Sequence, residues 1–245
     1  MADPHDTATA PPMERLIDAA LPHVPFDGWS EATLRHAARD AGLSIEEARA
    51  LCPRGPVDLA LAFHARGDRR MAAALASEDL SGLRFREKVA RAVQLRIEAI
   101  PDREAIRRAS ALYALPPYAA DGARALWSTA DAIWAALGDR SDGLDHYTKR
   151  ATLSGVYAST VLYWLGDDSQ GSIETWAFLD RRIEDVMRIE KVKARVNGTP
   201  VLRELAKGPG ALFDRLRRAP RMDMPGHWAP GAPPGGDWPG GGPRA

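Results

Sequence analysis

Six histidines, His5, His23, His36, His64, His146 and His227, are the residues of this chain best suited to proton transfer or metal binding. No two of them share the helical spacing that places two imidazoles on one metal. The sequence has no Gly-x-Ser-x-Gly elbow, no Gly-rich phosphate loop after a strand and no Glu-x-x-His pair of the kind that builds di-iron sites in bundles. It therefore points to no catalytic residue, no metal set and no cofactor, and an enzyme is not expected. Asp167 and Asp168 could attract a cation, but acids ahead of a helix N-terminus account for them as well. Asp131 is more unusual, because Trp127 and Trp134 flank it on one face of RALWSTADAIWAAL. If that face is buried, the carboxylate needs either a donor or a shifted pKa, and a hydrogen bond within the protein is the simpler outcome.

A second loaded patch holds Asp139, His146, Tyr147, Lys149 and Arg150. Two cations at a helix start oppose the macrodipole, which attracts acids there. Either Asp139, Asp142 and Asp145 compensate them, or a partner's carboxylates do; a plain solvated helix start is the alternative. The helix that follows carries Leu153, Val156, Tyr157, Thr160, Val161 and Trp164 at helical spacing, with Ala151, Ala158, Leu162 and Leu165 around the rest. It must be buried on most sides, yet it is too short for a bilayer, which needs roughly 20 apolar residues. Asp145 can cap its start, Gly166 sits where a left-handed residue would end it, and Ser169 or Ser172 can open the next helix, with Glu174 in its first turn. Trp176, Leu179, Ile183 and Val186 then face the first helix. The aromatics Trp127, Trp134, Tyr157, Trp164 and Trp176, with Ile133, line either an ordinary core or a ligand cavity between helices.

These elements sit in an all-α chain. Its 245 residues are 45% hydrophobic with zero net charge, Ala, Leu, Arg and Glu dominate, and strand and hairpin signals are scarce. Residues 14–71 break into short helices at Pro25–Gly28, Gly42 and Pro53–Pro56. Ser30 precedes Glu31, and Ser44 followed by Glu47 forms a capping box, so two short helices flank a Gly turn in helix-turn-helix geometry. This unit resembles the N-terminal domain of TetR regulators. Its candidate recognition helix, residues 44–51, nevertheless offers Glu46 and Glu47 against Arg49 alone, which is the wrong charge for phosphate or guanine. No nucleic-acid partner is expected.

The organisation expected is a disordered N-terminus at 1–13, a helix-turn-helix-like unit at 14–76 and a helical binding and dimerisation domain at 77–190. A basic amphipathic segment at 191–218 and a Gly/Pro-rich tail at 219–245 follow. In the basic segment, Leu202, Leu205, Leu212, Phe213 and Leu216 lie on one side and the bases largely on the other, which suits a membrane surface, although Gly208–Gly210 interrupt the helix. The alternative is a basic helix packed on its own domain. The lone Cys52 forms no internal disulfide, and the acidic, Arg-free start MADPHDTATAPP is unlike a transit peptide. A bacterial-type cytoplasmic location, peripheral to the inner membrane, is expected.

Gly138, Asp139 and Ser141, the tetrad Tyr147, Thr148, Lys149 and Arg150, and the run Thr175, Trp176, Phe178 and Leu179 together resemble the Coq nine family of ubiquinone-biosynthesis accessory proteins. The resemblance implies a TetR-like homodimer, paired through 147–165 and 173–190, that binds an isoprenoid or quinone-precursor lipid without doing chemistry. Trp127, Trp134, Leu153, Tyr157, Val161, Trp164 and Trp176 would line the lipid site. Asp139, His146, Tyr147, Lys149 and Arg150 would face a membrane-associated hydroxylase of the ubiquinone pathway, with His146 standing where the family commonly has Trp. The rival is a TetR-type transcriptional regulator that senses an apolar effector.

Overall fold

The computed structural model describes the backbone of residues 10–198 and the side chains of residues 10–188. Leu202, Leu205, Leu212, Phe213 and Leu216, with the tail from 219 onward, lie outside the described residues. The described chain is helical, without a strand. It runs through α1 (Pro12–Ala20), α2 (Val24–Asp27), α3 (Glu31–Asp40), α4 (Ile45–Leu51), α5 (Pro56–Ser77), α6 (Phe85–Glu98), α7 (Arg103–Tyr113), α8 (Ala119–Ala136), α9 (Gly143–Leu165) and α10 (Ile173–Gly198). The compact unit closes at Glu190, within α10.

Local signals set the helix ends. The Ser30 hydroxyl accepts the Thr33 amide at 3.2 Å. Ser44 and Glu47 exchange both bonds of a capping box, at 3.1 and 2.7 Å. Between them, α3 ends in a Schellman turn: Gly42 N donates to Arg39 O, Leu43 N donates to Ala38 O, and Gly42 takes the positive φ of 67° that the turn needs. The helix-turn-helix unit is thus written in caps. One hydrophobic core then runs from Leu16 in α1 to Ile183 in α10 without a break after α5. Each fully buried Leu or Ile in it contributes about 1.5–3 kcal/mol. Trp29 ties the N-terminal unit to the rest, packing on Phe63 and donating from Nε1 to Ala105 O at 3.0 Å.

Three expectations for the C-terminal helices need correction. Helix α9 begins at Gly143, with Asp142 in the N-cap position, so Asp145 lies in the first turn and does not cap. Lys149 and Arg150 therefore stand in the second turn, where the macrodipole has faded. Gly166 ends α9 at φ −107°, not left-handed; the left-handed residues are Gly171 and Ser172, just before α10.

The helices that carry the site are locked by a charge the sequence did not mark. Arg96 of α6 is 1% exposed, donates to Asp68 of α5 at 2.6 Å and to His64 O at 2.9 Å. Gly67 makes room for it, since a Cβ there would meet the guanidinium at 2.5 Å. Thr129 of α8 adds its hydroxyl to Asp68 at 2.8 Å. Removing one partner from such a pair leaves an uncompensated buried charge and typically costs about 3–5 kcal/mol, whereas an apolar pair of similar volume is often neutral. Asp68→Ala should therefore lower the urea midpoint sharply, and Asp68→Leu with Arg96→Met should lower it less.

Candidate ligand cavity and polar corner

Between helices α7, α8 and α9 lies an open apolar cavity of about 390 Å³, lined among others by Ile106, Ala109, Leu126, Tyr157, Ala158 and Val161. Small residues on α8 and α9, among them Gly122, Ala123 and Ala158, leave this space unfilled. One wall is polar. His64 of α5 reaches the cavity with its Nε2 2.8 Å from Thr129 Oγ1 and 3.1 Å from Ala125 O. Because the Thr129 hydroxyl hydrogen goes to Asp68, Nε2 must carry the proton, leaving Nδ1 as a bare acceptor. Burial, with Arg96 nearby, pushes His64 down to about 4, so the ring is neutral near pH 7.

A second cavity of about 340 Å³ opens between α6, α9 and α10, lined by Phe85, Val89, Trp134, Leu153, Val156 and Ile183, with Asp145 and Lys149 among its polar residues. The residues expected around one lipid site thus divide. Tyr157 and Val161 line the first cavity; Trp134 and Leu153 line the second. Trp164 is buried under the Arg103 guanidinium, 4.8 Å from its ring, and Trp176 donates from Nε1 to Gly171 O at 2.9 Å. Trp127 packs on the Tyr147 ring, with centroids 6.1 Å apart. These three line neither cavity. Helical period told which face of α9 is apolar; it did not tell which neighbour each residue meets.

The motif residues build a corner between α8 and α9. Helix α8 ends in a second Schellman turn, with Gly138 N donating to Ala135 O, Asp139 N donating to Trp134 O, and Gly138 at φ 76°. That turn aims Asp139 inward, where Lys149 Nζ donates at 2.7 Å, Ser141 Oγ at 2.5 Å and Arg150 Nη1 at 3.4 Å. The Lys149 bond, then that of Ser141, hold the Asp139 carboxyl down at about 2. Arg150 is 5% exposed and donates from Nε to Asp131 at 2.5 Å. Asp131 is therefore half exposed and paired, not buried between tryptophans. Asp139 and Asp131 compensate the two cations, so no partner's carboxylates are needed for that. Of the five residues assigned to a partner surface, Asp139 and Arg150 point into the fold, Lys149 is divided between Asp139 and the Trp134 ring, and Tyr147 is exposed beside His146.

The start of α10 follows the same logic. Buried Asp167 accepts the Ser169 amide at 2.8 Å, the Thr175 amide at 2.9 Å and the Thr175 hydroxyl at 2.5 Å, and these bonds, Ser169 first, lower its pKa. Arg103 fixes the corner from α7, donating to Asp167 O at 2.5 Å and Ser172 Oγ at 3.0 Å. Phe178 stacks on Tyr163 of α9 with centroids 4.6 Å apart, and Leu179 is fully buried. Asp167 acts as helix anchor, as its position before α10 suggested.

The pH sign for Asp139 follows from its depressed pKa. An unfolded Asp titrates near about 3.9, so its contribution is complete above that pH and is lost as pH falls toward about 2. Asp139→Asn should therefore flatten the fall of Tm between about pH 4 and pH 2 relative to the parent chain, read by thermal unfolding at each pH.

The family model COQ9 matches residues 119–190, which hold α8, the Asp139 corner, α9 and the start of α10. The chain is 33% identical over 193 residues to the ubiquinone biosynthesis protein COQ9, mitochondrial, of Rattus norvegicus, covering 76% of this chain and 62% of that protein. It is 31% identical over 193 residues to the human protein of the same name, covering 76% of this chain and 60% of that one. The chain thus spans about three fifths of the length of these relatives. In structure it is similar to a TetR transcriptional regulator from Nitrosomonas europaea, with TM-score 0.58, 21% identity, and coverage of 71% of this chain and 97% of that one. That likeness concerns the fold alone. The chain is an all-α, TetR-like protein that resembles the COQ9 family of ubiquinone biosynthesis proteins, with its motif residues gathered at the α8–α9 corner and the α10 start.

Proposed function

We propose that this chain serves ubiquinone biosynthesis as a non-catalytic carrier, holding an isoprenoid or quinone-precursor lipid between α7, α8 and α9 and presenting it to a membrane-associated hydroxylase. The observation that carries this reading is the 390 Å³ apolar cavity with Tyr157 and Val161 in its wall, in a chain related to COQ9. That volume falls in the range of ligand pockets, which are mostly apolar with a few placed polar groups. Here His64 is such a group. The outward aromatics Tyr147 and His146 supply the surface offered to the hydroxylase, Tyr147 being 62% exposed. Pairing of two chains through α9 and α10 would cover Leu162 and Ile173, which are 66% and 67% exposed. Among the described residues no helix is long and apolar enough to cross a membrane; the bilayer contact in this proposal is assigned to the basic segment at 191–218.

The regulator reading draws support from the fold, and the charge of α4 opposes it. Glu46 and Glu47 are exposed on the candidate recognition helix, with Arg49 as its lone cation. Phosphate contacts call for the opposite sign.

Ala158 lines the cavity, so Ala158→Trp should fill ligand space at an overpacking cost of about 1–3 kcal/mol. Organic extracts of the purified parent protein should contain an isoprenoid or quinone precursor by mass spectrometry, and extracts of the folded variant should not. Lipid-free parent protein, or equal lipid in both, would remove the carrier reading. The parent protein should also leave no footprint on its own promoter region at physiological salt. Glu46→Lys with Glu47→Lys should add only weak duplex affinity that fades as salt rises.

A further inference from the structure

The helix-turn-helix unit holds a cluster that the lipid carrier does not use. His23 immediately precedes α2, Asp27 ends α2, and His36 lies in α3, so the chain folds back to bring together residues 13 apart. One ligand atom from each lies within 4.8 Å of the others, His36 Nδ1 is 3.7 Å from Asp27 Oδ2, and the two imidazole centroids are 5.0 Å apart. We propose that His23, Asp27 and His36 form a site for a divalent transition ion of the zinc class.

Three observations support it. First, His36 Nδ1 is sequestered from solvent yet has no hydrogen-bond partner among the described residues. An unsatisfied buried nitrogen is costly, and a coordinated cation would satisfy it. Second, Asp40 Oδ2 lies 2.7 Å from His23 Nε2, while its other oxygen accepts Arg39 Nε at 2.9 Å. A carboxylate on one ring nitrogen fixes the imidazole and frees the other nitrogen for a metal, as outer-shell partners of zinc histidines commonly do. Its pairing with Arg39 leaves Asp27 as the carboxylate within the cluster. Third, the corner carrying Asp27 is braced: Gly28 takes φ 65°, and its carbonyl accepts the Thr33 hydroxyl at 2.6 Å.

Two imidazoles and one carboxylate, with water completing a tetrahedron, suit zinc or cobalt, whereas magnesium and calcium prefer all-oxygen sets. Bonds of about 2.0–2.2 Å require the ligand atoms to close in slightly from their present spacing. The three side chains are 24%, 41% and 42% exposed. Bound metal would clip α2 to α3 and stabilise the N-terminal unit, because only the folded chain presents the set.

The test titrates the full chain, stripped with chelator, with Zn²⁺ by calorimetry and with Co²⁺ by visible absorption. Expected are a saturable ion at this site, a tetrahedral cobalt spectrum and a higher Tm with Zn²⁺. Both binding and the Tm gain should be lost in His23→Ala/His36→Ala, and Asp40→Asn should weaken binding by about 10–100-fold. Asp27→Asn keeps the side-chain shape, so its loss of binding with an unchanged circular dichroism spectrum would separate coordination from misfolding. Absence of binding to the parent chain would overturn the proposal. So would equal binding by parent and double variant, since the ion would then be held elsewhere in the chain.

Discussion

A guanidinium with almost no exposure has to be met by a fixed carboxylate, and the placement of Arg96 against Asp68 organises the centre of this molecule. It sets how closely α5 and α6 approach, because Gly67 is the clearance for the arginine. It also reaches α8, since Asp68 takes the Thr129 hydroxyl and so decides the direction of every hydrogen bond around His64. The consequence appears in the cavity wall. His64 is neutral, with one nitrogen tied down and the other bare, so the apolar space keeps one acceptor without a buried positive charge.

The second organising group is Asp139. A Schellman turn at Gly138 carries it under α9, where it holds Lys149 and Arg150 together with Ser141. Arg150 in turn grips Asp131, so α8 and α9 are joined by ions near one end and by apolar packing along their length. The cavity sits on that apolar length, where Ala158 and Ala123 leave room. Polar anchoring near one end of a helix pair lets the rest stay loosely filled without losing register. A solidly packed pair would need no such anchor, and would have no space for a ligand.

Much of this was legible, and the limits have physical causes. Caps are local chemistry, so Ser30, the Ser44–Glu47 box and the turn at Gly42 could be read directly. The start of α9 was displaced because Asp142 and Asp145 are both good cap residues and Gly143, a weak helix former, looks like loop. Arg96 was missed since arginine in an amphipathic helix reads as surface; only the neighbouring Gly67, a poor residue mid-helix, hinted that something large approaches there. Of the seven apolar site residues, four divide between two cavities and three line neither, and a period of 3.6 residues carries no information about which neighbour each one meets. The nearness of His23 and His36 was hidden for a related reason: their spacing crosses a turn, so no helical pattern joins them.

The inward fate of Asp139 and Arg150 changes how the motif should be understood. A Gly-Asp-x-Ser loop followed by Tyr-Thr-Lys-Arg looks like a charged surface for recognition, and charge reversal at Lys149 and Arg150 would look like a clean way to probe it. Arg150 is buried between two carboxylates, and an acid there would set three negative charges in one corner. Any loss of function would then report a broken α8–α9 joint, not a lost contact. What the corner presents outward is the ring of Tyr147, set against Trp127 and edge-on to His146. The charges build the platform, and the aromatics stand on it, so the proposed contact with a hydroxylase is to be tested through aromatic substitutions that leave Asp139 and Arg150 in place.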